Sequence, residues 1–172
     1  MKGGGINDAD YATQTVKDGK YCTCPYYSAW RRMLASGIPV CDEWLRFSAF
    51  RRWMRRQKWE KKALDRWLKG NGQLYSPETC CFLDRQATNL CKSFRLAEDI
   101  GIDKPGAPNL LSKPYRAVVC SKHIGYFATL KEARKAWREA ALVELKKRLR
   151  SPKLREAADR LYAQTKTLSN RS

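Results

Sequence analysis

Thr129 and Glu132 form a capping box, and behind it Ala133, Trp137, Ala141, Leu145 and Leu149 recur at helical spacing. In this pattern the threonine oxygen takes an orphan N–H at the helix start, while the glutamate reaches back to the threonine's own N–H. A long amphipathic helix is predicted here, and its apolar stripe needs a surface to cover it. Tyr115–Cys120 and His123–Phe127 read as two short strands turned about Ser121-Lys122. This part of the chain thus reads as a hairpin followed at once by a capped helix. Ser151-Pro152 then restarts a last helix in the preferred cap-then-proline order, with Leu154, Ala158 and Leu161 on one side.

Upstream, residues 1–20 are Gly-rich and polar and are expected to form a flexible arm. Pro25 opens a first helix with Tyr26, Trp30, Met33 and Leu34 at helical spacing, and Gly37 stops it. Ile38-Pro39-Val40-Cys41 is expected to be extended, because proline biases its predecessor away from helix. A second helix is predicted from about Phe47 to Gln57, with Phe47, Phe50, Trp53 and Met54 as its apolar stripe. Arg51, Arg52, Arg55 and Arg56 fill the opposite face. From Arg46 to Lys62 eight basic residues stand against one acid, Glu60. Like charges four apart destabilise a helix unless something neutralises them, which points to phosphate contact.

The block from Ala63 to Leu90 carries a strand ending at Asp65, the turn signal Gly70-Asn71-Gly72, and a second strand, Cys80-Cys81-Phe82-Leu83. Asp84 can cap a following helix that bears Gln86, Asn89 and Leu90. Strand, loop, strand and helix make a compact ββα unit. The Pro/Gly stretch Asp103–Asn109 is the expected domain boundary or long loop.

The 172 residues carry a formal charge of +18, which calls for a polyanion, nucleic acid before an anionic membrane. No apolar run is long enough to span a bilayer, and the first residues lack the apolar core of a secretory signal. A cytoplasmic location with reduced thiols is expected for the seven cysteines. Cys22, Cys24 and Cys41 with Cys80 or Cys81 make up four ligands in number, yet no CxxC pair occurs, so structural zinc is not expected.

Several blocks together resemble a known family. Val40-Cys41-Asp42-Glu43-Trp44, Phe47-Ser48-x-Phe50, Leu64-Asp65-Arg66, Gly70-Asn71 and Tyr75-Ser76-Pro77-Glu78-Thr79-Cys80, with a helix Asn, look like phage-encoded HNH (His-Me finger) homing-endonuclease proteins. Tyr115-Arg116-Ala117-Val118, Ile124-Gly125-Tyr126-Phe127 and Thr129-x-x-Glu132-Ala133-x-x-Ala136-Trp137 resemble the DNA-binding domain those proteins share with plant ethylene-response factors. The likeness spans about residues 21 to 150. It implies an α+β chain. A ββα His-Me-finger-like module with flanking helices would cover 21–98, and a three-stranded antiparallel sheet on a long helix 99–150. A C-terminal helix and tail would follow over 151–172.

The resemblance also implies a chemistry. A His-Me finger holds one divalent metal, Mg²⁺ or Mn²⁺, against the scissile phosphate while a nearby base activates water. Carried over, Asp65 and Asn89 would be the metal ligands, and Asn71 would orient water or substrate. In the C-terminal module Lys113, Arg116, Lys122 and His123 would contact duplex DNA, adding to Arg51, Arg52, Arg55 and Arg56. The chain departs from the pattern at the base: Arg66 stands where the general-base His belongs, and guanidinium does not accept a proton from water. Trp67 follows where many relatives carry a second Asp, which leaves the base to a metal-bound hydroxide or to Glu78. Two readings follow: a DNA-cleaving or DNA-nicking enzyme, or an inactive relative that binds DNA as a regulator. In the second case a host or phage protein partner is also in view, as the target of an inhibitor of a host enzyme.

Overall fold

Residues 4–96, 101–105 and 112–166 are described by the computed structural model. The fold class is α+β: five helices and three small antiparallel sheets among these residues. The chain divides into two compact units, Met1–Leu83 and Asp84–Ser172.

The first unit begins with a feature its composition conceals. Strands β1 (Gln14–Lys17) and β2 (Lys20–Thr23) pair antiparallel, with Val16 opposite Tyr21 and Lys17 opposite Lys20. Asp18 and Gly19 take φ of 50° and 71°, the paired left-handed geometry of a tight hairpin turn that an Asp-Gly pair adopts readily. The expected flexible arm is therefore corrected over these residues. Ahead of the hairpin the chain is tied as well: Ile6 N–H donates to the Leu45 carbonyl at 2.7 Å, and Phe47 N–H to the Ile6 carbonyl at 3.0 Å. Backbone pairing with a distant segment holds this arm, and such pairing leaves no local pattern.

Helix α1 (Pro25–Ala35) ends just before Gly37, and a 3-10 turn at Asp42–Leu45 leads into α2 (Phe47–Arg55). The apolar stripes of both helices meet in one aromatic core. Trp30, Trp44, Phe47 and Phe50 are fully buried, with Met33 and Met54 beside them. Trp30 Nε1 donates to the Trp44 carbonyl at 2.7 Å, so the buried indole N–H is satisfied. The Trp53 ring lies tilted against those of Trp44, at 4.5 Å, and Phe82, at 5.7 Å. Burying each such ring contributes about 2–3 kcal/mol. Strand β3 (Ala63–Asp65) pairs with β4 (Cys81–Leu83), Asp65 lying opposite Cys81.

The second unit opens with α3 (Arg85–Leu96), whose start is capped by Asp84 Oδ1 accepting Ala87 N–H at 2.9 Å. Strands β5 (Ile102–Asp103), β6 (Tyr115–Val119) and β7 (Lys122–Phe127) form an antiparallel sheet in that order, with a bulge at Ala117/Val118. The hairpin turn falls at Cys120 and Ser121, one residue earlier than expected, and both have positive φ. Helix α4 (Leu130–Arg148) starts at the predicted capping box, with both reciprocal hydrogen bonds at 3.2 Å. Its stripe from Ala133 to Leu149 is buried, and Trp137 Nε1 donates to the Val118 carbonyl at 3.1 Å.

Helix α5 (Pro152–Lys166) packs on α3 and α4. The expected boundary at 98/99, and residues 106–109 of the expected Asp103–Asn109 boundary, lie outside the described residues. The division into two units falls at Leu83/Asp84, with the last helix in the same unit as the sheet. The reason is apolar: Phe94 of α3 sets its ring 5.7 Å from Trp137 and 6.2 Å from Tyr162. Arg138 ties α4 to α5, donating to Thr165 Oγ1 at 2.7 Å and to the Tyr162 carbonyl at 3.1 Å. Among the described residues no helix is long and apolar enough to cross a membrane.

Candidate nucleic-acid interface

Helix α2 is strongly two-faced because aromatic and arginine positions alternate at helical spacing. Phe47, Phe50 and Met54 enter the core, while Arg52, Arg55 and Arg56 are exposed and Arg51 is half-buried. All four arginines line one cleft of about 640 Å³, together with Ser48, Asp8 and Asp10. Among the described residues no carboxylate forms an ion pair with any of the four. Arg51 lies over the ring of Tyr11, 4.7 Å from its centroid, and its Nε is buried with no hydrogen-bond partner among the described residues. The Tyr11 phenol is itself pushed up to about 12, mainly by burial and then by its hydrogen bond with Cys24.

Asp8 is the residue at this cleft that local sequence reading misses. Position 46, just before α2, is an arginine with no capping side chain. Asp8 supplies the missing cap from far upstream, Oδ1 accepting Ser48 N–H and Oδ2 the Ser48 hydroxyl, each at 2.8 Å. These two hydrogen bonds hold its carboxyl below the usual range, and Arg46 at 3.8 Å adds to the effect. A carboxylate at a helix N-terminus also meets the positive end of the dipole.

The sheet of the second unit carries cations that are mostly engaged. Arg116 is held by Asp103, and Lys122 by Glu144 at 2.8 Å, which also accepts from Lys147 at 3.1 Å. His123 is exposed, its ring 4.8 Å from that of Tyr126, and Lys113 is exposed on the approach to β6. In the basic run at the end of α4, Lys146 meets Asp159 at 2.7 Å and Arg148 lies 4.0 Å from Asp84. Arg155 Nε caps the Leu149 carbonyl at 2.7 Å. Of the two basic zones, the α2 face is the one whose four arginines form no ion pair among the described residues, although Asp8 and Asp10 line the same cleft.

The finger-like block of the first unit is built as a self-bonded loop. Asp65 is fully buried, and its Oδ1 accepts the N–H of Trp67 at 3.0 Å and of Leu68 at 2.8 Å. Arg66 clamps the loop from inside, Nε to the Gly72 carbonyl at 2.7 Å and Nη1 to Tyr75 Oη at 3.0 Å. Gly72 itself has φ of 81° under the Trp67 ring, a place with no room for a Cβ. Ser76 and Thr79 exchange hydrogen bonds, Ser76 N–H to Thr79 Oγ1 at 3.0 Å and Thr79 N–H to Ser76 Oγ at 3.3 Å. The motif residues thus hold each other's backbone. Burial raises the Cys80 thiol to about 11 and raises that of Cys81 as well, and no disulfide forms among the described residues.

The residues do not fit the divalent metal that the resemblance implies. Such an ion is held by carboxylates together with several waters, which needs a carboxylate oxygen open to solvent. Asp65 offers no exposed surface. Asn71 is exposed, and its Oδ1 accepts Gln73 N–H at 3.1 Å as a turn residue. Asn89 is exposed on α3, in the other unit. Among the described residues no group of three His, Cys, Asp or Glu is placed to hold a metal. Glu78 makes a weak base, since its hydrogen bond from Ser76 lowers its carboxyl further.

No protein-family profile matches the chain, and no curated protein or solved structure matches it. The likeness to HNH proteins stands on the motifs quoted above.

Proposed function

We propose that this protein is a duplex-DNA-binding protein that grips the phosphate backbone through the arginine face of α2, without cleaving it. One observation carries this reading: Arg51, Arg52, Arg55 and Arg56 share one cleft, with no ion-pair partner among the described residues. Guanidinium forks suit phosphate oxygens, and neutralisation by phosphate removes the repulsion between arginines four apart. The motif likeness of the C-terminal module to a DNA-binding domain supports duplex DNA as the polyanion. There the exposed Lys113 and His123 are available at once, while Arg116 and Lys122 must first exchange their carboxylate partners. Metal-dependent hydrolysis is left out because Asp65 is enclosed and committed to the turn after β3.

The test is the salt dependence of duplex affinity. Each lost phosphate contact lowers the slope of log affinity against log salt by about 0.9. Arg52→Ala with Arg55→Ala is expected to lower it by about 1.8. A slope unchanged by both substitutions would remove α2 from the interface.

A further inference from the structure

We propose that a second cleft of the first unit receives one unstacked nucleotide of the bound strand; this rests on the DNA-binding reading above. The cleft lies where α1 faces β3 and the turn ahead of it, and encloses about 470 Å³. That is within the roughly 300–1,000 Å³ of small-ligand sites. Its floor is apolar and buried, formed by Met33, Met54, Tyr75 and Phe82. Its rim carries three exposed cations, Arg32, Lys61 and Lys62, and none of the described residues lining it is acidic.

Two details make it a prepared site for a flat anion. Trp59 in the wall is half-buried, and the Tyr26 ring meets it edge-on at 5.2 Å, so its plane is fixed before anything binds. The turn that follows is closed by Lys62 N–H donating to the Trp59 carbonyl at 3.0 Å, and it holds Lys61 at φ of 57°. A lysine is an unfavourable occupant of the left-handed region. It adds a cation to the rim of the cleft at the expense of backbone strain. A base has an apolar face for the floor and for Trp59, and its phosphate meets the cations. Helix α2 links the two parts, since Met54 reaches this floor while the arginines of the same helix line the other cleft.

The experiment compares a fully paired DNA duplex with one containing a single extrahelical thymidine, by fluorescence anisotropy at fixed salt. The wild-type protein is expected to bind the extrahelical duplex about tenfold more tightly, the scale of one base–aromatic stack. Arg32→Ala with Lys61→Ala, and separately Ser28→Phe to fill the cleft, are expected to reduce that preference to within about twofold. Ser28→Phe, which removes no charge, should change affinity for the paired duplex little, and unchanged melting curves show that each variant is folded. Equal wild-type affinity for both duplexes, with Arg52 and Arg55 still required, overturns the nucleotide cleft and leaves the DNA-binding reading intact. A preference that survives both variants also overturns it, because it then arises from the flexibility of the DNA. No salt-dependent binding to either duplex overturns both proposals.

Discussion

Arg116 grips Asp103 across neighbouring strands, Nε to Oδ1 at 2.9 Å and Nη2 to Oδ2 at 2.5 Å. The two residues are direct cross-strand partners, so the sheet's register itself delivers the carboxylate to the arginine. The contact holds Asp103 below the usual carboxylate range and raises Arg116. Both groups lie at the surface, where salt screens such a pair. Asp103→Asn therefore releases a cation on the face predicted to meet DNA. Duplex affinity at low salt is expected to rise about two- to fivefold, with a steeper salt slope, in anisotropy titrations at several salt concentrations.

Asp8→Ala removes the cap of α2 and is expected to destabilise the first unit by about 1 kcal/mol in urea unfolding. Its pH dependence has a definite sign. Hydrogen bonds from Ser48 lower the folded-state pKa of Asp8, so its stabilisation is present above the unfolded value of about 3.9. It is lost as pH falls through the lowered folded value. The stability gap between wild type and Asp8→Ala should close on acidification below about pH 4 and stay constant from pH 5 to 7.

Asp65→Ala tests a turn and a metal site at once. Loss of the buried acceptor leaves the Trp67 and Leu68 N–H groups unsatisfied, at a cost of about 3 kcal/mol. Thermal unfolding should show this loss equally with Mg²⁺ or EDTA present. Duplex affinity of the wild-type protein should likewise be indifferent to EDTA. Nicking of supercoiled plasmid that needs Mg²⁺ and vanishes in a folded Asp65 variant would restore the nuclease reading.

Arg138 is buried between the rings of Phe94 and Tyr162, 5.4 and 5.3 Å from their centroids. Burial lowers its pKa from the usual arginine value. Arg138→Ala removes ring contacts and two hydrogen bonds together, and is expected to cost the second unit about 2–4 kcal/mol. Arg138→Lys should recover less than half, because an ammonium cannot lie flat between two rings. Calorimetric melting of the three proteins checks both statements.

What was legible in the sequence was local. The Thr129–Glu132 box, the α4 stripe and the Asp84 cap each depend on neighbours within one or two turns, and all form as expected. The β1–β2 hairpin also had a local sign, Asp18-Gly19 between alternating residues, which the Gly-rich composition around it obscured. Strand β5 is only two residues long, too short for any periodicity. Asp65 and Asn89 share a motif spacing, but whether a carboxylate points outward or into its own turn is decided by backbone N–H groups that spacing does not encode. The cleft between α1 and β3 draws its lining from positions 23 to 82, a distance no motif covers.

The tie between Ile6, Asp8 and the start of α2 has a practical side for anyone preparing this protein. A shortened chain beginning at Pro25, where the first predicted helix starts, would discard a splint that lies outside any recognisable element. Helix α2 would then begin at Arg46 with two bare N–H groups and four arginines repelling one another along its length. Poor yield from such a preparation would say nothing against the domain and much about its missing first residues. An affinity tag is better carried at the other end.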